Sequence, residues 1–195
     1  MTPWEKFLDE KVREIAEENY ILDVGGGIKF GKGMKSYLGL FAGKRYVTLD
    51  KEEKYHPDIV GDIHEIPLPD NSVDAVICKS VLEHVEEPRK AVLEVYRILK
   101  PGGKAFFYVP FLYPYHAERQ VYSDFFRFSK DAVQYLFRKF SKLEYVPVRG
   151  FWETWFYFLP YRFNRIFAPT LGRLLDKLKK QSGNQASGYH IFVIK

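Results

Sequence analysis

A short apolar run that ends in three glycines carries the first residues suited to binding a ligand. Asp23 and Val24 close the run, and Gly25, Gly26 and Gly27 follow directly. Because glycine has no Cβ, the backbone there can turn sharply and bring its N–H groups close to a ligand. A fixed carboxylate beside those N–H groups suits a zwitterion better than a bare pyrophosphate. The segment therefore predicts a nucleotide-type cradle whose ligand carries an amino acid.

Two further acids stand at the ends of predicted strands. Asp50 closes the run at 45–50, 27 positions after Asp23, and Asp62 lies near the end of the run at 58–63. Ligands of doubly wound sheets lie outside the carboxyl ends of the strands, so both acids should face the glycines. The spacing also suits a carboxylate over a ribose diol. The alternative that Asp50 is an ordinary turn aspartate stays open.

A long aromatic loop after the fifth predicted strand contains the candidate acid–base residues. His116 is the best candidate for a general base toward a hydroxyl acceptor, because its loop leaves the sheet on the cleft side. Asp124 is the second catalytic candidate. Arg127 is a candidate partner of Asp124 or of the substrate, and Tyr115 a candidate substrate contact. A histidine that ties down neighbouring backbone and a local Asp–Arg ion pair are the structural alternatives.

The other histidines do not indicate a metal site. His84 stands near the start of a predicted helix, where we interpret it as structural. His56, His64 and His190 form no cluster with cysteine at metal-ligand spacing. The sequence therefore predicts no metal ligands.

Composition restricts the class of protein. A chain of 195 residues that is 46% hydrophobic can form one domain with a full core. The net charge of +5 permits weak attraction to phosphates or anionic lipid, but the basic residues are spread along the chain. The single cysteine, Cys78, excludes an internal disulfide and favours a reduced, cytoplasmic setting. No stretch of about 20 apolar residues is present, so a soluble or peripheral protein is expected.

Strands and helices alternate along the first three quarters of the chain, which predicts an α/β fold with a largely parallel sheet. An N-terminal helix is expected over 3–18, because Thr2 and Glu5 form a capping box around Pro3. A short helix is expected around 34–41, and a longer one from Pro88 through Leu99, followed by a turn at 100–103. The predicted strands are 20–24, 45–50, 58–63, 73–78, 105–109, 143–148 and 189–194.

Five segments in this order resemble a class I S-adenosylmethionine-dependent methyltransferase. They are Ile21–Gly27, the acid Asp50, Gly61–Ile63, Asn71–Val76 with Val81–Val85, and Leu99–Gly103. The resemblance implies a single Rossmann-like domain with seven strands, an antiparallel last strand and helices on both faces. The expected parts are a helix at 1–19, a cofactor-binding core at 20–150, an aromatic and basic insertion at 151–187, and the last strand at 188–195.

The resemblance also implies roles for site residues. Asp23 and the backbone of Gly25, Gly26 and Gly27 would hold the methionine end of S-adenosylmethionine. Asp50, with the adjacent Lys51, would lie at the ribose, and Asp62 and Ile63 would edge the adenine. Lys79 and Ser80 would line the floor where the sulfonium meets its acceptor. A dinucleotide site is the rival interpretation, but Phe30 stands where G-x-G-x-x-G requires a third glycine.

Two regions bear on the acceptor. The segment Asp124–Phe128, with a preceding histidine, is similar to one in methyltransferases that modify sugars or polysaccharide precursors, and aromatic faces pack well on sugar rings. The insertion combines an aromatic block at 151–160 with apolar residues at helical spacing and basic residues on other faces. This pattern is typical of an interfacial membrane contact. A lid over the cleft and a homodimer surface are the alternatives.

Three functions remain open from the sequence. The favoured one is transfer of a methyl group from S-adenosylmethionine to a small-molecule or saccharide acceptor. If that acceptor is lipid-linked, the insertion could bind its lipid. A nucleic-acid methyltransferase would need a continuous basic track with stacking aromatics, which the sequence does not favour. A non-catalytic binding protein with this fold is the third, because fold alone does not guarantee chemistry.

Overall fold

A computed structural model describes residues 1–178 and 185–195. The chain begins with helix α1, Pro3–Ala16. The predicted capping box starts it: Glu5 N–H donates to Thr2 Oγ1, and Thr2 N–H donates to a Glu5 carboxylate oxygen at 2.6 Å. Helix α2 spans Pro88–Ile98 and helix α3 spans Lys130–Leu136, where the Ser129 hydroxyl accepts from Ala132 N–H at the N-terminus.

Seven strands form one sheet in the order β3-β2-β1-β4-β5-β7-β6. Strands β1 to β5 pair in parallel, and β7 runs antiparallel to both β5 and β6. This confirms the predicted fold class. The strands are β1 Tyr20–Val24, β2 Arg45–Asp50, β3 Ile59–Val60, β4 Val73–Lys79, β5 Leu99–Pro110, β6 Lys142–Val148 and β7 Gly188–Ile194.

The central strands are buried on both faces, as parallel strands covered by helices should be. All five residues of β1 are buried. One face of the sheet packs with α2 and α3 through residues such as Val92, Val95 and Val133, and the other packs with α1 through Val12 and Ile15. Two continuous apolar layers therefore fix the strand ends from which the site is built.

Three elements differ from the sequence expectation. Strand β3 is only two residues long, and the predicted helix around Met34 is a 3-10 helix over Lys35–Phe41. Strand β5 begins at Leu99, because the expected turn at 100–103 is taken up as an irregularity within it. Val73 pairs with Leu99 but Ala75 pairs with Lys104, so the extra residues bulge out of the ladder.

The insertion before β7 is helical. It consists of α4 Phe151–Tyr157, α5 Tyr161–Phe167, a π-helical turn over Ala168–Gly172 that contains Pro169, and α6 Arg173–Leu178. The Asp176 carboxylate caps α4 by accepting from the backbone N–H groups of Trp152 and Glu153 at 2.9 and 3.0 Å. Within residues 1–178 and 185–195, no helix has the length and apolarity required to cross a bilayer.

Candidate active site

The carboxyl ends of β1, β2, β4 and β5 open into a cavity of about 980 Å³, at the upper end of the usual size of small-ligand pockets. Most residues predicted from the sequence to hold a cofactor or substrate line it. They are Gly25, Gly26, Gly27, Asp50, Lys51, Asp62, Ile63, Ser80, Tyr115 and His116. Asp23, Lys79, Asp124 and Arg127 are not among the lining residues.

The glycine turn at the end of β1 is shaped by conformations that other residues resist. Gly25 and Gly27 have φ angles of +62° and +60°, in the left-handed region. A Cβ on Gly25 would lie 2.5 Å from Val81 Cγ2, whereas a Cβ on Gly27 would meet no atom within 4 Å. The first glycine is therefore required for packing, and the last leaves open space beside the cavity.

Asp50 ties the end of β2 to the glycine turn. Its Oδ2 accepts from Gly27 N–H at 3.1 Å, and its Oδ1 accepts from Glu52 N–H at 3.0 Å. The side chain is mostly buried but still lines the cavity. Each carboxylate oxygen can accept more than one hydrogen bond, so both retain capacity for ligand hydroxyls.

Asp23 lies beneath the glycine turn rather than in the cavity wall. Its carboxylate is 4% exposed and accepts from the Tyr46 hydroxyl at 2.7 Å. Burial raises the pKa of Asp23. A Cβ on Gly26 would lie 2.6 Å from Asp23 Oδ2, so the carboxylate supports the turn from below. Its expected contact with the amino-acid end of a ligand stays a prediction.

Two lysines connect the glycine-rich loop to the end of β4. Lys32 Nζ donates to the carbonyls of Lys79 and Ser80, each at 2.8 Å, and Lys79 Nζ donates to the Lys32 carbonyl at 2.7 Å. Burial lowers the pKa of both ammonium groups, that of Lys79 to about 8. Lys32 lines the cavity and was not predicted from the sequence, whereas the predicted Lys79 lies behind it.

A carboxylate and two imidazoles converge at the other end of the cavity. Glu83 Oε1 lies 3.7 Å from His116 Nε2 and 3.8 Å from His84 Nε2. These separations are too long for hydrogen bonds. Within the described chain, neither Glu83 oxygen has a hydrogen-bond partner, although the side chain is only 1% exposed. The Glu83 carboxylate raises the pKa of His116, while burial lowers the pKa of His84.

Asp124 and Arg127 hold the aromatic loop in place. All five guanidinium N–H groups of Arg127 are used: they donate to both Asp124 oxygens and to the carbonyls of Tyr113, Pro114 and Phe126. This ion pair lowers the pKa of Asp124 to about 2. Arg127 is therefore the partner of Asp124, one of its two predicted roles, and contact with a substrate, its other predicted role, would require it to give up a hydrogen bond within the loop.

Asp124 contacts His116 instead of the cavity. Its Oδ2 accepts from His116 N–H at 2.8 Å and lies 3.2 Å from His116 Nδ1. The Asp124 side chain is fully covered. Its predicted place beside the acceptor is therefore not reproduced, and it is a positioning residue for His116.

Sequence reasoning gave no role to Glu83 and treated His84 as structural. Three contacts hold them against the loop that contains His116: Phe125 and Phe126 N–H donate to the Glu83 carbonyl, and the His84 side-chain Nδ1 lies 2.7 Å from the Ser123 carbonyl. The signal that could have identified the pair is its place directly after β4, at the cleft side of the sheet. The cluster also departs from the expectation of no metal-ligand grouping, since its donor atoms lie within 4.8 Å of one another.

Comparisons with known proteins agree with this geometry. Residues 22–107 match a family model described as a methyltransferase domain. A demethylmenaquinone methyltransferase from Renibacterium salmoninarum is 34% identical over 111 residues, which cover 52% of this chain and 45% of the relative. The chain thus spans less than half the length of the curated relatives it matches.

Two solved structures share the fold. A SAM-dependent methyltransferase from Archaeoglobus fulgidus superposes with a TM-score of 0.63 at 14% identity, covering 98% of this chain and 92% of that one. Phosphoethanolamine N-methyltransferase 2 from Haemonchus contortus, in complex with S-adenosyl-L-methionine, gives a TM-score of 0.59 at 15% identity, covering 98% of this chain and 52% of that one. Residues 22–107 are therefore similar to a methyltransferase domain, and the chain as a whole has the fold of these S-adenosylmethionine-dependent methyltransferase structures.

Proposed function

We propose that this protein transfers a methyl group from S-adenosylmethionine to a small-molecule acceptor by in-line displacement. The observation that carries the proposal is a single cavity with two chemically different ends. A glycine turn and Asp50 lie at one end, and the cluster of Glu83, His84 and His116 lies at the other. One end suits a nucleoside with an amino-acid tail, and the other suits the group that reacts.

The residues present fit the cofactor. The open space beside Gly27 lets a ligand approach the backbone, and Asp50 is held rigidly by two backbone N–H groups. Asp50 would bind the ribose hydroxyls, with Lys51 beside it, and Asp62 and Ile63 would edge the adenine. Lys32 already donates to the Lys79 and Ser80 carbonyls, which marks this spot as a binding place for a positively charged amine. The ammonium of the cofactor would compete with Lys32 there.

The protein has little covalent chemistry to perform. The cofactor, when bound, supplies an electrophilic methyl group on a sulfonium. The chain must align the acceptor with that methyl and exclude water, which accounts for much of the rate gain in such displacements. Tyr113 and Tyr115 of the aromatic loop line the cavity near His116 and would cover the acceptor.

His116 is our candidate for removing the proton of a hydroxyl acceptor. Its Nδ1 lies 3.0 Å from the Pro114 carbonyl, an acceptor only, so Nδ1 carries the hydrogen in the neutral ring. Nε2 is then free to accept a proton. Asp124 fixes this orientation through its contacts with the backbone and ring of His116.

We propose a saccharide or other polar small molecule as the acceptor. The support is the aromatic surface of the loop around Tyr113 and Tyr115, which suits packing on a sugar ring. The name of the Renibacterium relative supports a small molecule more broadly and extends the range to quinones. A nucleic-acid acceptor and a non-catalytic role are the competing functions.

A screen with a radiolabelled methyl donor tests the reaction. Acceptors should include free and lipid-linked saccharides, quinone precursors, thiols and RNA. The expected result is label in a small-molecule hydroxyl or carbon acceptor, and Asp50→Ala should reduce that labelling at least tenfold at a subsaturating donor concentration. Label in RNA alone would favour the nucleic-acid function, and cofactor binding without transfer to any acceptor would favour a binding protein.

We further propose that the insertion rests on an anionic membrane surface. Its exposed face is apolar, with Trp155, Phe158, Phe163, Ile166 and Leu174 each more than half exposed. Arg162, Arg165 and Lys177 are exposed around this face, and their charge complements anionic lipid. The basic residues Lys179 and Lys180 of the sequence pattern lie outside the described residues.

Sedimentation with vesicles that contain phosphatidylserine tests the membrane contact. The wild type should sediment with the vesicles at moderate salt, and Ile166→Asp should weaken this. Leu38→Asp is the matched control, because Leu38 is also exposed, at 55%, but lies outside the insertion. A wild-type protein that stays in the supernatant would leave the lid and the homodimer surface as the roles for the insertion.

A further inference from the structure

The cluster of Glu83, His84 and His116 contains more hydrogen-bond acceptors than the surrounding residues can pair with donors. Buried carboxylates are normally hydrogen-bonded or paired, because an isolated buried charge is costly. Both Glu83 oxygens nevertheless lack a hydrogen-bond partner in the described part of the chain. The contact atoms that face Oε1 are the two imidazole Nε2 atoms, at 3.7 and 3.8 Å. The partner of this carboxylate must come from the cavity or from protons on the rings.

The protonation of the two rings is set on their far sides. His84 Nδ1 lies 2.7 Å from the Ser123 carbonyl, and His116 Nδ1 lies 3.0 Å from the Pro114 carbonyl. A carbonyl only accepts, so each neutral ring carries its hydrogen on Nδ1 and directs the Nε2 lone pair at Glu83. Three acceptor atoms then face one another, an arrangement that repels unless a ring gains a proton or a cation lies between them.

We propose that Glu83, His84 and His116 bind a divalent transition-metal cation, with zinc as the best match. Two imidazoles and one carboxylate form a set of three protein ligands, which in zinc sites leaves a further position open. The carbonyls on the Nδ1 side are the outer partners that usually orient histidine ligands. All three residues line the cavity, so the open position faces the space where the acceptor would lie.

The distances allow this site with small adjustments. Donor atoms on a tetrahedral zinc lie about 3.3 Å apart, given metal–ligand bonds of about 2.0–2.2 Å. Two of the observed separations are 3.7 and 3.8 Å, and all the donor atoms lie within 4.8 Å of one another. Side-chain rotations of a few tenths of an ångström to about 1 Å would close the set around the ion.

The cation site stands apart from the methyl-transfer proposal, because metal binding can be measured without cofactor or acceptor. Its consequence for the reaction does rest on the proposed function. A bound cation would hold an acceptor oxygen in the open position and lower the pKa of a hydroxyl there. His116 would then be a ligand and not a base, and metal dependence of turnover distinguishes the two roles.

Cobalt titration of the untagged, chelator-treated protein tests the site. Wild type should take up one equivalent of Co²⁺ with a visible absorption band typical of an ordered site, and Zn²⁺ should displace it. Glu83→Gln and His116→Ala should each weaken Co²⁺ binding at least tenfold. His56→Asn is the matched control, because His56 is exposed, lies outside the cluster and has a φ of +50° that asparagine tolerates.

Folding is followed in the same samples by circular dichroism and thermal unfolding. Zn²⁺ should raise the unfolding temperature of wild type and of His56→Asn, but not that of Glu83→Gln. A specific site should saturate below about 1 mM Co²⁺. Absence of saturable uptake by wild type up to that concentration would overturn the proposal. Equal binding by folded Glu83→Gln and His116→Ala would also overturn it. Either failure would leave the cofactor site and the base role of His116 intact.

Discussion

The two ends of the cavity satisfy their charged groups in opposite ways. At the glycine end, Asp50 accepts from two backbone N–H groups, and Asp23 is hydrogen-bonded to Tyr46. At the histidine end, the more deeply buried Glu83 has no hydrogen-bond partner in the described residues. A site that is already satisfied positions its ligand, whereas a site with unmet charge stores energy that a bound group can release. The glycine end is therefore suited to positioning the cofactor, and the histidine end is suited to interacting with the group that binds beside it.

The largest effect is expected from Gly25→Ala. The added Cβ would combine a left-handed φ with a 2.5 Å approach to Val81, which together should cost about 3 kcal/mol or more of the free energy of unfolding. Gly43→Ala is the control: its φ is +76°, but a Cβ there meets nothing within 4 Å, so about 1 kcal/mol is expected. If urea unfolding shows that the two variants lose the same free energy of unfolding, the turn at Gly25 is not tightly packed.

Asp50→Ala should weaken binding of S-adenosylhomocysteine by at least tenfold. Hydrogen bonds to charged groups are worth about 1.5–3 kcal/mol, and the glycine turn would also lose its anchor at Gly27. Asp50→Asn, which keeps one acceptor oxygen, should give an intermediate loss. Isothermal titration calorimetry measures both, and unchanged affinity in the alanine variant would remove Asp50 from the site.

Glu83→Gln should stabilise the metal-free protein. Replacing a buried carboxylate that accepts no hydrogen bond by a neutral amide of the same shape should raise the free energy of unfolding by about 1–2 kcal/mol at neutral pH. Asp50→Asn should do the reverse, because its carboxylate is satisfied. If urea unfolding shows both variants destabilised alike, the two ends of the cavity do not differ as described.

The smallest effect is a pH dependence at Asp23. Burial raises its pKa above the ordinary 3.8, so the folded chain keeps a proton at pH values where the unfolded chain has lost it. The free energy of unfolding contributed by this group therefore falls as the pH rises from 3.8 toward the folded pKa. Asp23→Asn removes that fall, and its stability relative to wild type should increase over this window. If urea unfolding shows a constant difference in the free energy of unfolding between the two proteins across the window, the pKa of Asp23 is not raised.

The glycine end was predictable because its residues are local in sequence. The turn, Asp50 and Asp62 each follow a strand whose apolar pattern is readable, and parallel pairing brings the strand ends together. The fold followed from the same alternation. Only details such as the bulge in β5 depended on how the ladder closes around Gly102 and Gly103.

The histidine end was not predictable in the same way. His116 lies in an irregular loop, and its position follows from long-range contacts: Arg127 fixes the loop to itself, and the Glu83 carbonyl holds Phe125 and Phe126. No periodicity encodes such contacts. The sequence therefore indicated His116 by its type and could not show that Glu83 and His84 would lie beside it.

Calorimetric titration of the wild-type protein with S-adenosylhomocysteine tests the central claim most directly. We expect saturable binding of one ligand per chain, and Lys32→Ala should bind at least as tightly because Lys32 no longer competes at the Lys79 and Ser80 carbonyls. No saturable heat up to about 1 mM ligand, with the protein folded by circular dichroism, would contradict it.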